Sequence, residues 1–185
     1  MRNIILCGFM GCGKTTVGRE LAALTGRPFA DMDAVIEQRA GMSVSDIFRR
    51  FGEDDFRRRE REACAVLAAR QGVIVASGGG ALTFPENAKT LSATGTIVLL
   101  EISPETALRR LEGDESRPLL ARPDREDALQ RLFDARLPLY RRAAALRVDG
   151  EAPTRSVAQA VLSALRAAGD PDWGSVPPDA NEKNG

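Results

Sequence analysis

The stretch Asn3-Ile4-Ile5-Leu6-Cys7-Gly8-Phe9-Met10-Gly11-Cys12-Gly13-Lys14-Thr15-Thr16 decides the fold. Ile4 to Cys7 is continuously apolar and breaks at Gly8, as a strand covered on both faces does, and a helical pattern starts at Lys14. Inside this strand–loop–helix unit, Gly8 to Thr15 reads G-x-x-x-x-G-K-[ST], in the context that gives the motif its meaning. Glycines let the backbone N–H groups of Gly11, Cys12, Gly13 and Lys14 converge on phosphate oxygens where a Cβ has no room, and the helix dipole adds to the attraction. Lys14 would reach the β- and γ-phosphates of a nucleotide, the Thr15 hydroxyl would ligate Mg²⁺, and Thr16 would donate to the α-phosphate. The competing reading, a glycine turn with a chance lysine, leaves the flanking strand and helix unexplained.

Outward from that unit, apolar runs recur at Val73 to Ala76, Thr96 to Leu100 and Leu146 to Val148, with a short one at Pro28 to Ala30, each separated by a helical pattern. This alternation predicts an α/β fold, a parallel sheet with helices on both faces. Helix starts are expected at Ser43, at Asp54 and Asp55, and at Ser103 before Pro104. The 185 residues fit one domain, assigned to residues 1–168, and an apolar fraction of 43% supplies a core for it. Residues 113–127, charged and carrying two prolines, read as a mobile loop, and residues 169–185, rich in Pro, Gly and Asp, as a disordered tail.

Equal numbers of basic and acidic residues, 26 each, leave no global field to draw in nucleic acid or a membrane surface. Three cysteines and no histidine argue against a disulfide framework or a zinc site and fit a reducing cytoplasm. The thiols read as core fillers, with Cys12 set apart because Lys14 nearby would lower its pKa. No leader or membrane span is expected, so the chain should start at Met1.

The usual metal-supporting acid at the end of the central strand is missing: Val73-Ile74-Val75-Ala76 runs into Ser77. Asp31-Met32-Asp33, after the short strand, is the substitute. Asp31 would hold a magnesium-bound water, and Asp33 would orient or deprotonate an attacking hydroxyl, unless it only caps a helix beginning at Ala34. For an acceptor, Arg57 lies in GEDDFRRRERE, where Arg57 to Arg59 read equally as a solvated face partnered by Glu60 and Glu62. Gly78-Gly79-Gly80 follows the central strand, either admitting a ligand to the main chain or simply linking to the next helix. Arg117 lies in the mobile-loop candidate, where it would swing onto the γ-phosphate or merely decorate a surface loop. Arg136 lies where Pro138 is expected to disrupt a helix, and would fork a carboxylate or complement the helix dipole.

In this order, GFMGCGKTT, DMD, GEDDFRRRE, SGGGA, RPLL and RLPLY resemble the shikimate kinase family over about Arg2 to Ala168. The resemblance implies a P-loop NTPase fold of the nucleoside-monophosphate-kinase type, with a five-stranded parallel sheet in the order 2-3-1-4-5 and a substrate-binding segment from Asp33 to roughly Ala63. It implies transfer of the γ-phosphate of ATP, with Mg²⁺, to the 3-hydroxyl of shikimate in aromatic amino acid and chorismate biosynthesis. Carried over residue by residue, Asp33, Arg57, Gly79, Gly80 and Arg136 would contact the acceptor, and Arg117 would reach phosphate and acceptor from a lid. Arg110 would pack on adenine with Pro153 on the ring's other face, and Glu60 would hold Arg57 or Arg136. A cytoplasmic monomer with small-molecule substrates is the expectation. A gluconate or nucleoside monophosphate kinase, or a module that binds nucleotide without turnover, are the rivals; no N-K-x-D motif favours a GTP switch.

Overall fold

All five residues of β1 (Asn3–Cys7) are buried, because the strand pairs in parallel on both sides. In the computed structural model, which describes residues 1–112, 124–170 and 172, its neighbours are β3 (Ile74–Ala76) and β4 (Gly95–Glu101). Ile4 sits opposite Ile74 and Thr96, and Leu6 opposite Ala76 and Val98. β2 (Phe29–Asp31) and β5 (Leu146–Asp149) complete a parallel sheet in the order β2-β3-β1-β4-β5, the P-loop NTPase topology that the sequence implied. Parallel pairing without a covered face would leave apolar surface wet, so helices lie on both sides. Each fully buried Ile or Leu of these strands contributes roughly 1.5–3 kcal/mol relative to exposure. The same pairing sends every strand's carboxyl end to one edge, where ligands of open α/β sheets bind.

Between the strands run α1 (Lys14–Thr25), α2 (Met32–Ala40), α3 (Val44–Ala68), α4 (Pro85–Ser92), α5 (Pro104–Arg110), α6 (Arg125–Ala143) and α7 (Thr154–Ala167). The caps at Ser43 and Ser103 form as expected, each hydroxyl accepting from the amide three residues on. Two local readings, at Asp33 and at Pro138, are corrected. Asp33 does not cap a helix starting at Ala34: α2 begins at Met32, and the Asp31 carboxylate caps it by accepting from the Asp33 amide at 3.1 Å. The start expected at Asp54 and Asp55 forms: Gly52 (φ 78°, ψ −179°) is non-helical and kinks α3, and the acids after it open the second half. Pro138 lies inside α6 without ending it. A proline in a helix interior costs about 3 kcal/mol, and here tertiary burial of Leu129, Phe133 and Tyr140 offsets it.

No helix among the described residues is long and apolar enough to cross a membrane. Of the expected tail, Gly169, Asp170 and Asp172 are described, and both aspartates bond to the body: Thr96 Oγ1 donates to Asp170 at 3.1 Å, and the Arg2 amide donates to Asp172. Of the expected loop at 113–127, residues 113–123 with Arg117 lie outside the described residues, and Arg125 to Asp127 form the first turn of α6.

Candidate active site

At the carboxyl edge of β1, β2 and β3 the loop Gly8 to Gly13 opens onto a cleft of about 430 Å³. Gly11 and Gly13 have φ of 79° and 88°, a region costly to residues with a Cβ, and both line the cleft with Lys14, Thr15 and Thr16. The Lys14 ammonium is turned onto its own loop, donating to the carbonyls of Gly8 at 2.8 Å and Phe9 at 3.1 Å, with Cys12 Sγ at 3.6 Å. Cys12 is buried behind the loop at 1% exposure, so its thiol is shielded from solvent reagents. Cys7 and Cys64 are core residues, and burial pushes each thiol up to about 12.

The register of the sheet explains how the two aspartates reach this loop. Asp31 pairs with Ala76, so it leaves the sheet level with the end of β3 and one strand from it. There Thr15 Oγ1 donates to Asp31 Oδ2 at 2.7 Å, while Asp31 Oδ1 receives the Asp33 amide. A hydroxyl and a carboxylate side by side are hard oxygen donors suited to Mg²⁺, which keeps several waters and takes one or two protein ligands. Among the described residues no group of three or more His, Cys, Asp or Glu is placed to hold a metal. Ser77, which the sequence marked only as a missing acid, lines the same cleft at the end of β3.

Beside the cleft, the Gly78-Gly79-Gly80 turn gathers the acceptor candidates. A Cβ on Gly78 would lie 3.0 Å from Asp33 Oδ1 and 3.1 Å from Glu60 Oε1, so both carboxylates crowd this backbone. Glu60 is 1% exposed; its Oε2 accepts from Arg57 Nη1 at 3.0 Å, and its Oε1 has no hydrogen-bond partner among the described residues. Burial raises the proton affinity of Glu60 above the usual carboxylate range; Arg57 and Arg136 oppose the rise and Asp33 adds to it. Arg57 also holds Glu53 through Nε and Nη2 and lies 5.1 Å from the centre of the Phe84 ring. Its guanidinium covers Gly80 so closely that a Cβ there would be 2.8 Å from Nη1. Of the three consecutive arginines, Arg57 turns inward, whereas Arg58 pairs with Asp55 and Glu62, and Arg59 with Asp55, on the surface.

From the opposite side α6 brings Arg136, whose Nη1 donates to the Gly79 carbonyl at 3.4 Å, and Tyr140, whose hydroxyl donates to the same oxygen. Gly79 itself faces the cleft, with no described residue within 4 Å of the Cβ position it lacks. At the far end, Arg110 lines the cleft and reaches the carbonyls of Gly150 at 3.0 Å, Glu151 at 3.2 Å and Gly11 at 3.4 Å. Pro153 is not on the cleft wall; it is the residue before α7, and its neighbour Thr154 lines the cleft instead.

Known proteins resemble this chain in sequence and in fold. The family model described as shikimate kinase matches residues 10–166. The chain belongs to the shikimate kinase family. It is 47% identical to the shikimate kinase of Halorhodospira halophila over 167 residues, covering 89% of this chain and 93% of that one. It is also 47% identical to the shikimate kinase of Symbiobacterium thermophilum over 148 residues, 79% of this chain and 85% of the relative. Among solved structures, shikimate kinase from Acinetobacter baumannii in complex with shikimate superposes with a TM-score of 0.86 at 39% identity, covering 91% of this chain and 94% of that one. As a member of this family the chain is an ATP-dependent kinase, with ATP as co-substrate.

Proposed function

We propose that this shikimate kinase family member phosphorylates the 3-hydroxyl of shikimate from MgATP, through the residues assembled around Gly79. The observation that carries the reading is the convergence of Arg57 and Arg136 on the Gly79–Gly80 turn beside Asp33. Two guanidiniums beside one turn suit a planar carboxylate, because each offers a fork of parallel charge-assisted donors. Asp33, on the cleft wall, is placed to accept the hydrogen of an acceptor hydroxyl and aim its oxygen at the phosphoryl group. Bond formation to that oxygen is late in phosphoryl transfer, so orientation is the larger part of this task.

On the nucleotide side, the amides of Gly11, Cys12 and Gly13 bind phosphate oxygens, Lys14 exchanges its carbonyl partners for the β- and γ-phosphates, and Thr16 serves the α-phosphate. Thr15 would hold Mg²⁺ directly and Asp31 through water, and the ion would supply charge that neutralises the phosphates. Arg110 flanks the adenine end, with Pro153 at the start of α7; for Arg117, outside the described residues, the proposal rests on the family resemblance of its R-P-L-L motif alone. Every group named belongs to one chain, so a monomer suffices, and the balanced charge suits a cytoplasmic enzyme of small molecules.

ADP release measured with MgATP against shikimate, gluconate and nucleoside monophosphates tests the proposal. Turnover confined to shikimate is expected. Equal turnover of gluconate, which also carries a carboxylate, would refute the acceptor assignment.

A further inference from the structure

Tyr140 is the chain's one tyrosine, it is 1% exposed, and no role in the proposed reaction requires it. It stands four residues after Arg136 on α6, and side chains at that spacing share a helix face. Both donate to one acceptor, the Gly79 carbonyl: Tyr140 through its hydroxyl, and Arg136 through Nη1 at 3.4 Å, the outer limit of a hydrogen bond. A carbonyl oxygen has two lone pairs, so both donors fit. The two are nevertheless in different situations. The buried phenol donates its hydrogen to the Gly79 carbonyl and its oxygen also partners the Arg136 guanidinium, which is half-buried and keeps further N–H groups to spend elsewhere.

We infer that Tyr140 is a positioning residue for the acceptor, its hydroxyl holding the Gly79 carbonyl so that Arg136 is released to the acceptor's carboxylate. The inference rests on the proposed assignment of Arg136 to that carboxylate. In this inference, as the fork of Arg136 turns to the carboxylate, it gives up its long 3.4 Å contact with the carbonyl. With Tyr140 in place, the carbonyl stays bonded when Arg136 goes. Without the hydroxyl, Arg136 is the remaining donor, and each binding event leaves a sheltered carbonyl unpaired, which is unfavourable. Burial raises the phenol's proton affinity above its ordinary value, so the hydroxyl remains a donor throughout the neutral range. The same bond fixes the Gly79–Gly80 turn on which Arg57 lies.

Tyr140→Phe in the full chain removes the hydroxyl and keeps the ring. The KM for shikimate should rise about five- to tenfold, the factor expected for one such hydrogen bond, with kcat and the KM for ATP at wild-type values. Arg136→Ala should raise the shikimate KM by itself, and Tyr140→Phe added to it should do nothing more, because residues acting as one unit are not additive. An unchanged shikimate KM in Tyr140→Phe, where Arg136→Ala raises it, overturns this inference alone. The full Tyr140→Phe factor persisting in the Arg136→Ala background does the same, since the hydroxyl would then act without Arg136. An unchanged KM in Arg136→Ala overturns the acceptor assignment and this inference with it. A second readout is independent of the folding of any Tyr140 variant: 3-fluorotyrosine incorporation labels this one position. Its fluorine resonance should move on adding shikimate to the wild-type protein and stay fixed in Arg136→Ala; a resonance indifferent to shikimate in both overturns the proposal.

Discussion

The loop at Gly8 to Thr16 and the turn at Gly78 to Gly80 both prepare a place for an anion, and they do so by opposite means. In the first, the donors are main-chain N–H groups contiguous in sequence, and the one long cation, Lys14, is tethered to the loop's own carbonyls. In the second, the donors are guanidiniums delivered by α3 and α6, separated by 79 positions between Arg57 and Arg136, and the turn serves as their meeting point. A backbone cradle is indifferent to the group that the phosphate is attached to. A side-chain cradle reads the shape and charge of one acceptor, and it depends on each supporting contact, Glu60 under Arg57 and Tyr140 beside Arg136. Affinity for nucleotide and choice of acceptor are thus physically separable in this molecule.

Substitutions can break or sharpen that separation. The largest effect is expected at Asp33, which faces the boundary between the two regions: Asp33→Asn should lower kcat by about 10²-fold or more while the KM for ATP barely moves. Steady-state kinetics with both substrates varied measures this, and near-normal turnover would remove Asp33 from the chemistry. Next is Arg57→Ala, expected to raise the shikimate KM on the order of 30-fold, as for loss of a sheltered charge-assisted pair, and again to spare ATP. A parallel rise in the KM for ATP would mean that the two regions are coupled. Arg57→Ala should also lower Tm, because it strands the buried Glu60 carboxylate.

The smallest effect belongs to Glu60 and pH. Its proton affinity is higher in the folded chain than in the unfolded one. The folded state therefore holds the extra proton, and the associated stability is full below the unfolded carboxylate pKa and is lost as pH rises through the folded value. Glu60→Gln should flatten that decline of Tm between mildly acidic and neutral pH. Identical slopes in wild type and variant would show that Glu60 is not the titrating group.

The legibility of the two regions in the sequence differs for the same reason as their construction. A contiguous cradle can be read as a string, and so can the strands that flank it, because β1 is buried on both faces and shows it as an unbroken apolar run. Arg57, Arg58 and Arg59 cannot be told apart that way: successive positions on a helix point in different directions, and which one faces Gly80 depends on how α3 lies against the sheet. The helix cap in Asp31-Met32-Asp33 is ambiguous in the string because two carboxylates two residues apart both suit a helix start. The choice falls to where β2 ends, a tertiary fact. Pro138 signals a break that burial of the surrounding helix overrides. Tyr140 is visible within RLPLY, yet nothing in a string records that its hydroxyl meets a carbonyl 61 residues away.

The lysine folded back on Gly8 and Phe9 makes the loop a self-plugged socket. Its cation cross-braces the same turn that receives the nucleotide, so arrival of a phosphate is an exchange of partners rather than an act of folding. Replacing Lys14 by a neutral residue therefore removes a strut along with a charge, and the loop should exchange its amide hydrogens faster before any substrate is added.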